Sequence, residues 1–594
     1  MKQYKNRDEV EEKYKWDLSE FFESNDDFYK ACKEVEDMIP SLEKYVGCSK
    51  DANRLYEYLI KLREIETIIE KILVYAIVKN DEELGKQENL DMDVKRQNII
   101  MKFNVANAFF KPELLKLTKE EFNKLLDNSK LKKYKVYLER IYREKEHTLN
   151  EEEEKIVNRL VMATNNFSNI SSTLLNREHD YGKVTLNDGE KVKITTANSR
   201  FLQSNDDRRI RKEANTKLGK KASQYASTSA SLLNSYVKLN DTLAKIYNFN
   251  DNFEANLFED NLNRNIFDVL SHNVRDGVSS LQEYFKLKKK ILNLDTLYNY
   301  DLRAKISKYK KEYTIEEGIE LVRAALRPLG EDYLNKYDKL IKNRHIDFCG
   351  YQGKCSGGYN ISVPSCDSRI LMSYNYDLDS ISTIAHEAGH HIHHQFINEN
   401  NPLEYRDVPI IVAEVASLTN EFLLSNYIFN NSKDKEEKIM AIENSLDIMV
   451  NNLFGAVREG DMERLMYERV HNGESLTKDF INKIAGDSLK FYYKDAVKLN
   501  SYAKNSWIFR SHYYMDFYLY NYAICVSIAS FFAKEILNGN KEILNKYLKL
   551  LTIGSDVWAI DIFKTLNISL EDDMIYKNAI SYFDELVSML KSLY

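Results

Sequence analysis

Glycine and proline together supply only 25 of the 594 residues, about a third of the usual share of roughly 12 %. A chain so poor in turn formers cannot punctuate an all-β fold of this length, which needs a turn signal every ~8–12 residues. Collagen-like, linker-rich and disordered organisations fail on the same ground. Helix is left as the principal element. With 43 % hydrophobic and 12 % aromatic residues, the helices have the side chains to enclose a large core.

Charge narrows the partners. Lys and Arg (85) and Asp and Glu (92) leave a net charge of −7 with both signs interspersed, which gives no electrostatic footprint for nucleic acid. Runs such as Lys132-Lys133-Tyr134-Lys135 and Lys286 to Lys290 read as solvated helix faces. The opening residues are charged and carry no apolar core of a secretory signal. The charge-free stretch from Phe517 to Ala533 contains Asn521, Ser527 and Ser530 and reads as a buried helix, not a span of about 20 apolar residues. No membrane partner is expected. Six cysteines without a C-x-x-C pair make no disulfide framework or structural zinc pattern, and a reducing cytoplasm fits.

From Trp16 to about Glu178 apolar residues recur at helical spacing, as in Leu55, Leu59, Leu62 and Ile65. Lys183-Val184-Thr185-Leu186 and Lys191-Val192-Lys193-Ile194 then flank an Asp-Gly turn and predict a β-hairpin. We place a helical N-terminal region at 1–200, closed by this hairpin, and a second domain at 201–594. Ser204 to Asp207 offer N-caps for a long helix. The glycine-bearing stretch from Ile346 to Asn375 predicts a small sheet, from Tyr359 to Val363 and Ile370 to Tyr374. After it the chain reads as helical to Tyr594, interrupted only at Pro402 and Pro409.

Directly after the predicted sheet comes His386-Glu387-Ala388-Gly389-His390, in a segment with a helical pattern and Asp377 or Asp379 as its cap. Residues i and i+4 lie one above the other on a helix. His386 and His390 can therefore present two imidazoles to one Zn2+, while Glu387, one position round, reaches a water and not the metal. His391, His393 and His394 follow, and His390 with His394 forms an alternative pair, though one lacking a Glu directly after its first His. A third ligand is needed. Glu414, 24 residues beyond His390, stands alone in an apolar helix that Pro409 and Asp407 would start, where a carboxylate is costly unless paired or metal-bound. Glu421, on the same face, could hold a ligating His by its second ring nitrogen.

The chain resembles the oligoendopeptidase F family, in the thimet-oligopeptidase-like group of zinc metallopeptidases, in Lys15-Trp16-Asp17-Leu18, Pro328-Leu329-Gly330, Gly353 to Tyr359, Thr383 to His393, Ala413 to Glu421, Trp507 to Tyr522 and Gly554. It departs from the family at Cys355, where Arg is usual, and at Glu459-Gly460-Asp461-Met462, where the pattern is usually more apolar. The resemblance implies a mostly α, bilobal helical shell around a deep substrate channel, with a small β-sheet beside the zinc-binding helix. It implies one zinc per chain on His386, His390 and Glu414, with Glu387 as general base. It further implies that a late segment supplies His512 and Tyr518, with Tyr522 beside them, as donors to the substrate carbonyl and oxyanion. Helical spacing would put Tyr514, Tyr518 and Tyr522 on one face and Tyr520 opposite. The Ser356 to Tyr359 strand would pair with the substrate backbone.

These readings combine into a zinc endopeptidase hydrolysing internal bonds of short oligopeptides. Oligomeric state is not legible. Two rivals stand beside this reading. A zinc carboxypeptidase or dipeptidase would need a cation such as Arg510 for the terminal carboxylate. A non-catalytic helical peptide-binding protein with a structural zinc would have no use for Glu387.

Overall fold

The computed structural model describes residues 4–164 and 166–594; the first three residues of the region placed at 1–200, and Asn165, lie outside the described residues. The chain is 71 % helical with small sheets, as its shortage of turn formers requires. No described helix is long and apolar enough to cross a membrane. The chain forms two compact units, each made from three stretches: Met1–Glu146, Lys310–Leu424 and Glu535–Leu566 in one, and His147–Tyr309, Ser425–Lys534 and Asn567–Tyr594 in the other.

The first unit begins with helices α1 (Asn25–Met38), α2 (Ala52–Glu82) and α3 (Gln87–Asn107), which pack on one another. Asp51 caps α2, and Leu55, Leu59, Leu62, Ile65, Ile69 and Ile72 bury one face of it. Each such side chain is worth about 1.5–3 kcal/mol when fully buried. The same core takes in Tyr359, Ile361 and Val363 from a three-stranded sheet. That sheet comprises β1 (Ile346–Asp347), β2 (Tyr359–Val363) and β3 (Cys366–Leu371), ordered β1-β3-β2, with β3 parallel to β1 and antiparallel to β2. The predicted first strand is β2; the second begins earlier than predicted, at Cys366, because the tight turn after Val363 pairs Val363 with Cys366. The buried Lys354 ties the loop before β2 to the sheet: its Nζ donates to the carbonyls of Asp347, Cys349 and Met372 at 3.1, 2.8 and 2.6 Å and pairs with Asp347.

Helix α4 (Leu378–Asn400) packs on β2 and β3. Its cap is Asp377, whose carboxylate accepts from the Ser380 N–H at 2.9 Å. The apolar helix predicted around Glu414 is two helices, α5 (Ile410–Ala413) and α6 (Val415–Asn431). Glu414 is the joint, with φ −90° and ψ 1°, the sparsely populated bridge region where active-site residues are often found.

In the second unit the hairpin forms as predicted, Lys183–Thr185 against Lys191–Lys193 with Val184 opposite Val192. Asp207 caps the 39-residue helix Arg208–Ile246. The reading of helix to Tyr594, interrupted only at Pro402 and Pro409, fails in the late segment. A short 3-10 turn, Ser511–Tyr514, ends there, and the helix begins only at Leu519. Hydrogen bonds from elsewhere in this unit hold the break: the Asp516 carboxylate accepts from Asn240, Asn252 and Tyr467, and the Phe517 N–H donates to Glu463 at 2.9 Å, with Phe517 left-handed at φ 57°.

Candidate metal centre

Helix α4 carries His386 and His390 one turn apart, and the joint between α5 and α6 turns Glu414 toward both. The two imidazole Nε2 atoms lie 3.3 Å apart, and Glu414 Oε2 is 3.4 Å from the first and 3.5 Å from the second. Among the described residues these three form one of two groups whose donor atoms are close enough to share an ion. The alternative pair does not assemble, because His394 Nε2 turns to Ser362 Oγ at 2.6 Å.

Close backbone packing makes this convergence. A Cβ on Gly389 would come within 2.6 Å of Ser417 Cα and 2.7 Å of Ser417 N, so only glycine lets α4 lie against the start of α6. Asn420 fastens the same crossing, its Nδ2 donating to the Ala385 carbonyl at 3.0 Å. Glu421 takes the predicted place: its Oε1 accepts from His386 Nδ1 at 2.8 Å and its Oε2 from Ser382 Oγ at 2.7 Å. That bond occupies Nδ1 and turns Nε2 toward the group, where a bound metal ion would take the place of the Nε2 proton. Ser417 Oγ likewise donates to Glu414 Oε2 at 2.9 Å. Gly389 and Ser417 were not singled out from sequence; the small residue between the histidines was the available signal.

The electrostatics favour a cation. Burial works against the charged form of His386, yet the hydrogen bond to Glu421 and the charges of Glu421, Glu414 and Glu387 raise it to about 9. Burial likewise opposes ionisation of Glu414, but the His390 and His386 imidazoles bring it down to about 2. The donor side chains remain 20–27 % exposed, so one side of the group is open, as at sites that keep a coordination position for substrate. Glu387 is buried, and that burial, opposed by His386 and His390, raises its carboxyl above the ordinary value. It faces the entry to β2: its Oε1 lies 3.8 Å from where a Cβ on Gly358 would stand. β2 is an edge strand of its sheet.

The second unit gathers the late-segment residues. Ring centroids of His512 and Tyr518 are 6.2 Å apart, His512 and Tyr522 5.8 Å, and Tyr518 and Tyr522 5.2 Å. The shared helical face predicted for Tyr514, Tyr518 and Tyr522 is a correction: only Tyr522 is on the helix, and Tyr514 packs on Tyr236 instead. Tyr520 is fully buried and donates to Asp461 at 2.9 Å. Burial and nearby Arg510 lower His512 below the ordinary imidazole value. Arg510 is ion-paired with Glu459, its Nη2 at 2.9 Å, so the cation that the carboxypeptidase reading required already has a carboxylate.

Comparison with known proteins agrees with this architecture. The model of peptidase family M3 matches residues 201–582, and that of oligopeptidase F matches 113–180. An oligoendopeptidase F homolog of Lactococcus lactis is 29 % identical over 99 % of this chain and 98 % of its own. A crystal structure from Chlamydophila abortus, 26 % identical, superposes with a TM-score of 0.93 over all of both chains. The oligoendopeptidase-F of Enterococcus faecium, 23 % identical, covers 96 % of this chain and 99 % of its own with a TM-score of 0.72 and shares the fold. The chain belongs to peptidase family M3, in its oligoendopeptidase F group, and is a metallopeptidase.

Proposed function

We propose that the protein is a zinc-dependent endopeptidase that hydrolyses internal bonds of short oligopeptides in a reducing cytoplasm, with one catalytic zinc held by His386, His390 and Glu414. The observation that carries the reading is the spacing of the three donors. Ligand bonds of about 2.0–2.1 Å at tetrahedral angles put neighbouring donor atoms about 3.3–3.4 Å apart, against 3.3, 3.4 and 3.5 Å here. Bound there, the ion supplies Lewis-acid chemistry toward the scissile carbonyl.

The chain's own residues do the rest. Glu387, made more basic by its burial, takes the proton of the attacking water on its carboxylate and returns it to the leaving amine. The edge strand β2 offers main-chain partners to an extended peptide, which aligns any internal bond and asks for no free terminus. Family resemblance supports His512 and Tyr518, with Tyr522, as hydrogen-bond donors to the developing oxyanion. The test is product mapping by mass spectrometry on peptides of mixed length, free and blocked at either end, with chelator and with zinc restored. Internal cleavage of doubly blocked peptides that returns with zinc is expected. Release of single residues or dipeptides from the free carboxyl end alone would refute it.

A further inference from the structure

Within the first unit, three side chains from three separate stretches converge at the sheet that backs α4. Glu20 comes from the segment before α1, His345 immediately precedes β1, and Asp367 is in β3. One donor atom from each lies within 4.8 Å of the others. His345 is only 3 % exposed, and its Nδ1 has no hydrogen-bond partner among the described residues. A buried polar atom left unpaired is destabilising and calls for an explanation. A neutral imidazole keeps one nitrogen lone pair, and no described hydrogen bond engages Nδ1. Beside it stand the carboxylates of Glu20 and Asp367, drawn from two different stretches of chain.

The surroundings hold these donors in place. Arg369 Nη2 donates to Glu20 Oε2 at 2.8 Å while its other nitrogens donate to the carbonyls of Asp17, Asp367 and Ser368. Glu20 Oε1 accepts from the Asp367 N–H at 3.3 Å. Lys339 stands 3.8 Å from Asp367, too far for a hydrogen bond. Gln395, buried on α4 and next to Asp367, keeps its Oε1 unpartnered among the described residues. The His345 ring also meets His391, at 5.2 Å between centroids, and His391 directly follows His390.

We propose that Glu20, His345 and Asp367 form a second divalent-metal site that fastens the N-terminal segment to the sheet behind α4. A donor set of one imidazole and two carboxylates suits a borderline ion such as Zn2+ or Co2+ and not the all-oxygen preference of Ca2+ or Mg2+. The site does not depend on the catalytic assignment. It shares no ligand with His386, His390 and Glu414.

The test equilibrates the full-length protein with buffered micromolar Zn2+ and counts bound metal by mass spectrometry. Two equivalents are expected for the wild type and one each for D367N and H345Q. In H390A, where the catalytic site is broken, one equivalent should remain, and adding Zn2+ should raise the melting temperature. E20Q, which keeps an amide oxygen to accept from the buried Arg369, should abolish that rise in the H390A background. A single equivalent in the wild type would overturn the proposal, as would two equivalents persisting in D367N and E20Q. Loss of all zinc from H390A would count against this site, while failure of the catalytic reading would show as full activity in H390A.

Discussion

Gly389→Ala sets two well-measured effects against each other. Intrinsic propensity favours the substitution, because Ala in a helix interior is worth about 1 kcal/mol over Gly. Packing opposes it. The new Cβ would stand 2.6 Å from Ser417 Cα and 2.8 Å from the Ala416 carbonyl carbon, where carbon atoms rest at about 3.5–4.0 Å. These are backbone atoms and cannot swing aside, so α4 and the α5–α6 joint must separate by about 1 Å. Overpacking of this kind costs about 1–3 kcal/mol, so net stability falls by between nothing and about 2 kcal/mol. The metal centre feels the full displacement. Glu414 Oε2 would leave its 3.4 and 3.5 Å separations from the two imidazoles, while a metal site tolerates about 0.2 Å in its bonds. Zinc affinity should fall by at least about 10–100-fold, the range seen when supporting residues are removed, and kcat/KM at limiting zinc should fall with it. Zinc titration by competition with a chromophoric chelator, beside circular dichroism and an internally quenched peptide assay, reads all three quantities. A G389A protein with wild-type zinc affinity and turnover would refute the claim that this crossing sets the ligand geometry.

Other substitutions separate the roles assigned above. Glu387→Gln should keep zinc bound while kcat drops by at least ~10²-fold; loss of zinc with activity would make Glu387 structural. Glu414→Ala should lose metal and activity with its helical spectrum intact, and full zinc content would remove it as a ligand. Tyr518→Phe should lower kcat by ~10²-fold or more with little change in KM, whereas Tyr520→Phe, which removes the buried hydroxyl that donates to Asp461, should cost about 1 kcal/mol of stability and leave kcat near normal; the reverse result would reassign the donor. Burial and neighbouring imidazoles push His393 down to about 3 and His394 to about 4. The unfolded chain, protonating near 6.5, then binds more protons than the folded one, so stability should fall by about 1.4 kcal/mol per group per pH unit as pH drops from about 6.5 toward 4. Urea titrations at pH 5.5 and 4.5 measure the slope, and a His393→Asn protein with an unchanged slope would contradict it.

The residues legible in the sequence are those whose chemistry is set by spacing within one element. His386 and His390 are four apart, and any helix brings them together. Val184 and Val192 flank an Asp-Gly turn, and any hairpin pairs them. Glu414 was legible for a different reason: a lone carboxylate among apolar neighbours demands a partner wherever its helix packs. Glu421 followed from its seven-residue offset, which survives the joint because the Glu414 carbonyl already accepts the Leu418 N–H at 3.1 Å and so opens the hydrogen-bond ladder of α6.

What escaped the sequence is whatever a distant element imposes. The helical period puts Tyr514, Tyr518 and Tyr522 in line, and the local residues raise no objection. The objection comes from Asn240, Asn252, Glu463 and Tyr467, whose hydrogen bonds to Asp516 and Phe517 hold a left-handed residue where a helix would run. Several such bonds outweigh the about 1–2 kcal/mol that one non-glycine residue costs in that conformation. The result still gathers His512, Tyr518 and Tyr522, because the break turns the chain once before Tyr518 and the new helix carries Tyr522 one turn further. Glu20, His345 and Asp367 illustrate the limit most plainly. Each is unremarkable in its own segment, and the orphaned nitrogen of His345 becomes visible only when β1 and β3 are laid side by side. The parallel pairing of Ile346 with Ile370 sets His345 beside the strand that carries Asp367, and the pairing, not any local pattern, makes the cluster.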